Sequence, residues 1–429
     1  MRNPKKLSVM LIAVVLTVVL AVTLCACVTG DDLDEINSET GKVSSGNNSS
    51  NAEIVYNQYT VNTATGAPAE NATSYTEVIE AVQTSVVLIS ISTDLNTAPS
   101  AAGAGVFYGS VEGEDASMII TCCHVVEDAA IIKVTVNDGD LDSSNDVILD
   151  ATVIGMDDDQ DIAVLKVAGT GYNYATCRDI SASPYLLGED ATAIGNPLGA
   201  GITVTKGIIS GIERSVKLDG VTMTLLQTDA AVNGGNSGGA LFDSNGYLIG
   251  IVNAKTTGSA IDGVGYAIPI STAKHVADSI ISTAGKPEYN GLGYIEGKIR
   301  LGVSIAQINK STVESNFPQI GTLAPKDNEY YYYVSEVTPY GSIARSDSAG
   351  AITEGSLITG VTVDGLERRF TDAYTIETML AEAEIGDVVT FHIITVTATS
   401  TRIFGPTTYT YTESAVDITM YQYVYGFAG

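Results

Sequence analysis

The sequence contains no tryptophan, and it has only 3 histidines and 5 cysteines in 429 residues. With so few histidines and no cysteine pair at the CxxC spacing, the sequence predicts neither a metal site nor another cofactor. Basic residues are also scarce, since 21 Lys and Arg stand against 50 Asp and Glu for a formal net charge of −29. A surface this acidic repels phosphate backbones, which argues against nucleic acid as a partner.

Residues 1–27 have the pattern of an export signal, with a basic start and an apolar stretch from Leu7 to Leu24. The tetrad that ends at Cys27 resembles a bacterial lipobox, which predicts cleavage before Cys27 and lipidation of its thiol. An uncleaved signal anchor is the alternative, because 18 apolar residues just reach the length that spans a bilayer. Both interpretations place the rest of the chain on the extracytoplasmic face of a bacterial cell membrane.

The remaining chain divides into a tether and two domains. Residues 28–73 are polar and predict a flexible tether. Residues 74–285 contain many short β-type runs punctuated by Gly, Asn and Asp, which predicts an antiparallel β domain closed by one helix over 271–283. Residues 298–421 show further strand signals around one helix, predicted over 371–383, and form a second, smaller domain.

A glycine-rich loop around Ser237 is the first chemical signal. A serine hydroxyl is a poor nucleophile unless a base takes its proton and donors stabilise the resulting oxyanion. His124 stands at the end of an apolar strand, where its side chain can project from a rigid sheet, and we predict it to be the base. Asp161 immediately precedes the apolar strand 162–167 and is predicted to orient the imidazole. The amides of Gly235 and Ser237 are predicted to form the oxyanion hole.

The order His124, Asp161, Ser237 is that of chymotrypsin-like proteases. Subtilisin-like and α/β-hydrolase enzymes use other orders. The stretch 235–239 formally matches GxSxG, but it leads into a strand where the hydrolase elbow needs a helix. Asp157, Asp158 and Asp159 are weaker candidates for the carboxylate, because they belong to a polar turn.

Seven motifs resemble the HtrA/Deg serine proteases in order and approximate spacing. They are Gly103–Val106, Thr121–Val126, Asp161–Lys166, Gly195–Gly199, Val204–Ser210, Thr228–Asn233 and Gly235–Gly239. The resemblance implies a mostly β, chymotrypsin-like double barrel with serine endopeptidase activity. It also implies a homotrimer and cleavage of unfolded or damaged exported polypeptides.

The second domain resembles a PDZ domain less closely. Leu301, Gly302 and Val303 stand where a PDZ domain holds the terminal carboxylate of a peptide. The resemblance therefore implies a smaller α+β domain that binds carboxyl-terminal peptides and regulates the protease.

Two details concern specificity and control. Ala231, six residues before the nucleophile, is predicted to line the S1 pocket, which favours small aliphatic side chains over Lys or Arg. Gly234 stands where HtrA-type proteases commonly have Pro, which suggests a mobile oxyanion loop that a ligand must order. The alternative function is a PDZ-bearing chaperone or sensor of misfolded envelope proteins in which the protease fold is inert.

Overall fold

The computed structural model describes Thr23–Leu24 and residues 59–425, apart from gaps at 70, 95–98, 138–145, 197–200, 219–220, 255–262, 317–318, 324–327, 339–340, 372–373 and 401–406. The chain divides into two compact units, Asn57–Glu296 and Gly297–Tyr423. The predicted lipidation site Cys27, and the signal and tether residues before 59 other than Thr23–Leu24, lie outside the described residues. Within the described part, no helix is both long and apolar enough to cross a membrane.

The first half of unit Asn57–Glu296 is a closed β-barrel with one added strand. Its strands are β1 (Val61–Thr63), β2 (Val86–Ser92), β3 (Ala101–Val111), β4 (Ala116–Thr121), β5 (Ile131–Val136), β6 (Val147–Asp157) and β7 (Ile162–Ala168). The order is β1-β3-β2-β5-β6-β7-β4, and pairing of β4 with β3 closes the ring. Every residue of β4 is buried, including the polar residues Ser117 and Thr121.

The strand β1 lies within residues 28–73, which the sequence predicts to be a flexible tether, so this part of the prediction is wrong. Val61 pairs with Val111 of β3, and the close approach of β1 requires Gly109, where a Cβ would lie 2.5 Å from Val61 Cγ1. Three residues are too few to show strand periodicity, so the sequence alone does not reveal this strand. The helix α1 (Tyr75–Val82) follows, and Ser74 caps it by accepting a hydrogen bond from the Glu77 amide at 3.3 Å.

The second half of this unit is another closed barrel. Its strands are β8 (Asp190–Gly195), β9 (Thr203–Leu218), β10 (Val221–Thr228), β11 (Ala240–Phe242), β12 (Leu248–Asn253) and β13 (Gly265–Pro269), in the order β9-β10-β13-β12-β11-β8. Short helical segments in this unit are the 3₁₀ turns Gln83–Ser85 and Pro287–Tyr289 and the helical turn α2 (Cys123–Val126). The prediction of a mostly β, chymotrypsin-like double barrel is confirmed.

A single long helix, α3 (Ile270–Thr283), packs on both barrels. It contacts β12 and β13 of the second barrel and β6 and β7 of the first. Its buried face consists of Ile270, Ala273, Val276, Ala277, Ile280, Ile281 and Thr283. Such spacing gives one apolar stripe along a helix, as the sequence predicts. The segment after α3 stays with this unit, because the Gly293 amide donates to the Ile154 carbonyl at 2.7 Å.

Unit Gly297–Tyr423 combines one antiparallel sheet with short helices. Its strands are β14 (Val303–Asn309), β15 (Tyr330–Val337), β16 (Leu357–Val363), β17 (Leu366–Arg368), β18 (Val388–Ser400) and β19 (Thr407–Thr419). The order is β14-β15-β16-β18-β19, with β17 beside β16 and Thr23–Leu24 antiparallel to β14. Its helices are α4 (Lys310–Asn316), α5 (Ile320–Leu323), α6 (Ser342–Arg345) and α7 (Ile376–Glu382).

The helix α7 is shorter than the segment 371–383 predicted from sequence. Thr371 forms an isolated β-bridge with Tyr374, so these residues cannot begin a helix. The helix starts where Thr375 and Thr378 exchange side-chain-to-backbone hydrogen bonds in a capping box. Ile376, Met379 and Leu380 then pack into the core of this unit.

Candidate active site

His124 and Asp161 come from neighbouring ends of two paired strands. His124 lies in α2, directly after β4, and Asp161 precedes β7; Thr121 of β4 pairs with Ala163 of β7. Asp161 has a left-handed φ of 52°, a conformation that aspartate tolerates better than most residues. Its carbonyl oxygen accepts a hydrogen bond from the Cys123 amide at 3.1 Å. The two catalytic candidates are therefore fixed within the first barrel.

The buried carboxylate of Asp161 holds His124 at two points. Its Oδ1 accepts from the His124 backbone N–H at 2.9 Å, and its Oδ2 lies 2.7 Å from His124 Nδ1. Because an ionised carboxylate can only accept, Nδ1 carries the proton and Nε2 presents its lone pair. The ring is thus set in the tautomer that a general base needs.

Ser237 comes from the second barrel, in the loop between β10 and β11. Its Oγ lies 2.9 Å from His124 Nε2 and 3.2 Å from the Ala254 amide nitrogen, which donates to it. The Ser237 carbonyl accepts from the Ala104 amide of β3 at 2.9 Å. The predicted His124, Asp161 and Ser237 therefore meet where the two barrels pack, and His124 lies within hydrogen-bond distance of both other residues.

Gly238 allows this close approach between the barrels. Its φ is 82°, and a Cβ on it would lie 2.2 Å from both the Ala104 carbonyl oxygen and Thr121 Oγ1. No side chain fits in that space, so the residue after the nucleophile must be glycine. The Thr121 hydroxyl donates to the same Ala104 carbonyl at 2.7 Å.

The loop before Ser237 is a β-turn over residues 233–236, closed by a 3.0 Å hydrogen bond from the Asn236 amide to the Asn233 carbonyl. Gly235, its third residue, has a φ of 94°, whereas Gly234 does not have a positive φ. That combination defines a type II turn, in which glycine is favoured at the third position and proline at the second. Apart from Gly234 and its two chain neighbours, no described residue has an atom within 4 Å of the position that a Cβ on Gly234 would take.

The predicted S1 residue Ala231 is exposed. Its carbonyl accepts from Thr205 Oγ1 at 3.0 Å and from Asn236 Nδ2 at 3.4 Å, so its backbone is anchored. The next residue, Val232, is buried, and its side chain occupies the space over Gly265, where a Cβ would lie 2.7 Å from Val232 Cγ2. Sequence reasoning overlooked Val232, although it is the one branched apolar side chain in the polar stretch 228–239.

Sequence reasoning also overlooked Asn253, the last residue of β12. Its side-chain Nδ2 donates to Asp161 Oδ2 at 2.8 Å, and the residue is fully buried. Asn253 therefore supplies a third hydrogen bond to the carboxylate, from the second barrel. The only signal in the sequence is a polar residue at the end of the apolar strand Leu248–Asn253, which does not indicate its partner.

Three free thiols occur among the described residues: Cys122 and Cys123 are buried, and Cys177 is half-buried. Cys122 Sγ lies 3.4 Å from the Val252 carbonyl, and Cys123 Sγ lies 3.9 Å from Met156 Sδ. Burial raises the pKa of the Cys122 and Cys123 thiols well above the usual range. Burial also raises the pKa of Cys177 to about 12. All three thiols are consequently protonated at neutral pH when no cation is bound.

The candidate carboxylate-binding loop of the second unit is tightly folded. Leu301 is buried, Gly302 has a φ of 75°, and Val303 begins β14. The carbonyls of Leu301 and Gly302 accept from the amides of Ile343 and Thr338, at 3.0 and 2.8 Å. Leu301 and Val303 share a core with residues of α7. Their role in peptide binding stays a prediction.

Two six-stranded barrels with a Ser–His–Asp arrangement between them define a trypsin-like peptidase fold, and residues 103–251 match the family model described as "Trypsin-like peptidase domain". Three relatives are similar over longer stretches. Serine protease Do-like HtrB of Bacillus subtilis is 35% identical over 53% of this chain and 52% of its own length. Serine protease Do-like HtrA of the same organism is 31% identical over 69% and 61%.

Periplasmic serine endoprotease DegP of Salmonella typhimurium is 32% identical over 61% of this chain and 48% of its own length. The chain is HtrA/DegP-like, as its motifs predict. It spans about half the length of the curated relatives it matches.

Proposed function

We propose that this chain is an extracytoplasmic, membrane-anchored serine endopeptidase that cleaves unfolded or damaged exported proteins after small aliphatic residues. The observation that carries this proposal is the continuous hydrogen-bonded path from Asp161 through both ring nitrogens of His124 to Ser237 Oγ. The named serine proteases among its relatives support the same activity.

The chemistry follows from which atoms hold protons. As Ser237 Oγ attacks the carbonyl carbon of the peptide bond, His124 Nε2 takes the hydroxyl proton and the ring becomes cationic. Asp161 stays ionised and stabilises that charge at 2.7 Å. The carbonyl oxygen becomes an oxyanion, for which we propose the amides of Gly235 and Ser237 as donors.

The proton taken from Ser237 then leaves with the first product. His124 Nε2–H donates it to the leaving amine, the carbon–nitrogen bond breaks, and an acyl group remains on Ser237 Oγ. Water then enters, gives a proton to Nε2, and attacks the acyl carbon through the same oxyanion state. The bond between the acyl carbon and Ser237 Oγ breaks, and Nε2–H returns a proton to Oγ. The Ala254 amide lies 3.2 Å from Ser237 Oγ and can donate a hydrogen bond to it while the serine proton is on His124.

Substrate preference is proposed from the residues before the nucleophile. Neither Ala231 nor Val232 carries charge, so no group there would pair with Lys or Arg. Small aliphatic side chains suit such a pocket, and they are buried in folded proteins but exposed in damaged ones. An unfolded exported polypeptide is therefore the proposed substrate.

Regulation is proposed to reside in unit Gly297–Tyr423. The edge of β14 opposite β15 accepts an extended segment, since Thr23–Leu24 pair antiparallel with Ile305 and Ala306 there. This supports addition of a carboxyl-terminal peptide at β14, with its carboxylate at the amides of Leu301, Gly302 and Val303. We further propose lipidation at Cys27. We also propose assembly as a homotrimer, which light scattering of the purified protein tests.

The first experiment is digestion of unfolded β-casein by the full-length protein in detergent, with Ser237→Ala as the control. We expect cleavage by the parent protein and none by the variant, and mass spectrometry of the products to show small aliphatic residues at the cut ends. A hydrophobic carboxyl-terminal peptide should raise the rate. Absence of cleavage with and without the peptide would favour an inert chaperone or sensor instead.

A further inference from the structure

A thiol lies beside the His124–Asp161 pair. One ligand atom each from Cys122, His124 and Asp161 lies within 4.8 Å of the other two. Cys122 Sγ is held near this pair by its contact with the Val252 carbonyl, in the strand that also supplies Asn253. Three potential ligands therefore converge where the catalytic proton path begins.

This set of donors suits one class of cation. Thiolate, imidazole and carboxylate are the ligands of zinc, and a site with three protein ligands leaves a fourth position for water. Soft thiolate selects Zn²⁺ and similar cations, whereas Mg²⁺ and Ca²⁺ prefer sites made of oxygen alone. We propose that Cys122, His124 and Asp161 form an inhibitory site for a thiophilic divalent cation such as Zn²⁺ or Cd²⁺.

The proton balance explains why the bound cation inhibits. The Cys122 thiol loses its proton to solvent and becomes a thiolate ligand. Nδ1 of His124 gives up its proton to bind the cation, and neutral imidazole then carries a proton on Nε2. One proton is released for each cation, and the two ligand charges balance the metal. With Nε2 protonated, His124 cannot accept the proton of Ser237, so the nucleophile is not activated.

The geometry also gives a route for entry. The His124 side chain is 19% exposed, whereas that of Asp161 is 7% exposed and Cys122 is fully buried. A cation therefore enters past the imidazole, which must turn slightly as its hydrogen bond to Asp161 is replaced. We expect slow binding that a chelator reverses.

Binding is tested directly in the Ser237→Ala protein, which cannot digest itself. Cd²⁺ is added to the full-length protein, and the ultraviolet charge-transfer absorption of the cadmium–thiolate bond is recorded. We expect one equivalent of absorption that disappears on the further substitution Cys122→Ser. It should persist in the matched controls Cys123→Ser and Cys177→Ser. An absorption unchanged by Cys122→Ser would overturn the proposal.

The second test measures casein cleavage and rests on the proposed peptidase activity. Each variant is compared with its own rate without metal, using Zn²⁺, Cd²⁺ and, as a hard-cation control, Mg²⁺. Loss of an outer-shell partner of a metal ligand typically costs about 10- to 100-fold in metal affinity. Cys122→Ser removes a direct ligand and should therefore raise the inhibitory Zn²⁺ concentration at least about tenfold. Cys123→Ser should keep the parent sensitivity.

Equal sensitivity of the Cys122→Ser and parent proteins, or equal inhibition by Mg²⁺, would refute this inhibitory site. If Cys122→Ser does not fold, Cys122→Ala replaces it in both tests. If the protein cleaves no casein, the cadmium absorption decides the metal site by itself, so failure of the proposed function and failure of this site are distinguishable.

Discussion

The turn before the nucleophile offers a sharp test of the proposed oxyanion hole, through the substitution Gly235→Ala. In the type II turn, Gly235 has a φ of 94°, which a residue with a Cβ adopts at a cost of about 1–2 kcal/mol. A type I turn removes that cost, but it requires the peptide between Gly234 and Gly235 to flip. The flip turns the Gly235 N–H away from the position where the oxyanion forms.

The size of the expected fall in kcat follows from this conformational cost and from the contribution of one oxyanion donor. A cost of about 1–2 kcal/mol lowers the ratio of type II to type I turns about 5- to 30-fold. If type I becomes the dominant turn, the loss of one oxyanion donor lowers kcat by about 10²- to 10³-fold. We therefore expect kcat of Gly235→Ala to fall, by up to about 10²- to 10³-fold where type I dominates, with a smaller change in KM.

The assay is steady-state cleavage of a fluorogenic peptide with a small aliphatic residue before the cut. Gly234→Ala is the matched control, because it adds the same methyl group one residue earlier, where φ is not positive and the described residues leave the space open. A kcat for Gly235→Ala equal to that of Gly234→Ala would refute the assignment of this turn to the oxyanion hole.

Two further predictions concern buried groups. Asn253→Ala removes a donor to the buried Asp161 carboxylate, and we expect the free energy of unfolding in urea to fall by about 1–3 kcal/mol in the Ser237→Ala background; an unchanged midpoint would contradict this. Burial raises the pKa of Cys177 to about 12, so the unfolded thiol ionises first, near pH 8.5. Stability should therefore be lost as pH rises from about 8.5 to about 12, and Cys177→Ala should reduce the slope by up to about 1.4 kcal/mol per pH unit.

The sequence predicted those parts of the site whose signals are local. His124 ends an apolar strand, Asp161 begins one, and Ser237 lies among glycines, so each could be found without knowledge of the others. Asn253 could not, because its role depends on pairing between distant strands that brings it 2.8 Å from Asp161.

In the fold too, features fixed by neighbouring residues could be predicted, whereas features that depend on contacts between distant segments could not. The helix start at Ser74 was predictable from its cap, because a cap bonds to residues within one turn. The strand β1 was not predictable from sequence. Its three residues can approach β3 only because Gly109 has no side chain, and that contact joins segments distant in sequence. The start of α7 was placed too early, because the local alternative, a bridge between Thr371 and Tyr374, has no simple sequence pattern.

The origin of the catalytic groups also bears on how the chain is made. His124 and Asp161 belong to the barrel that ends at Ala168, whereas Ser237 and Asn253 belong to the next barrel. During synthesis the earlier residues emerge first, so an incomplete chain holds the histidine and its carboxylate without a nucleophile. The proposed nucleophile reaches its base only when the two barrels pack against each other. The order of the residues along the chain thus postpones assembly of the proposed triad until the second barrel has been synthesised.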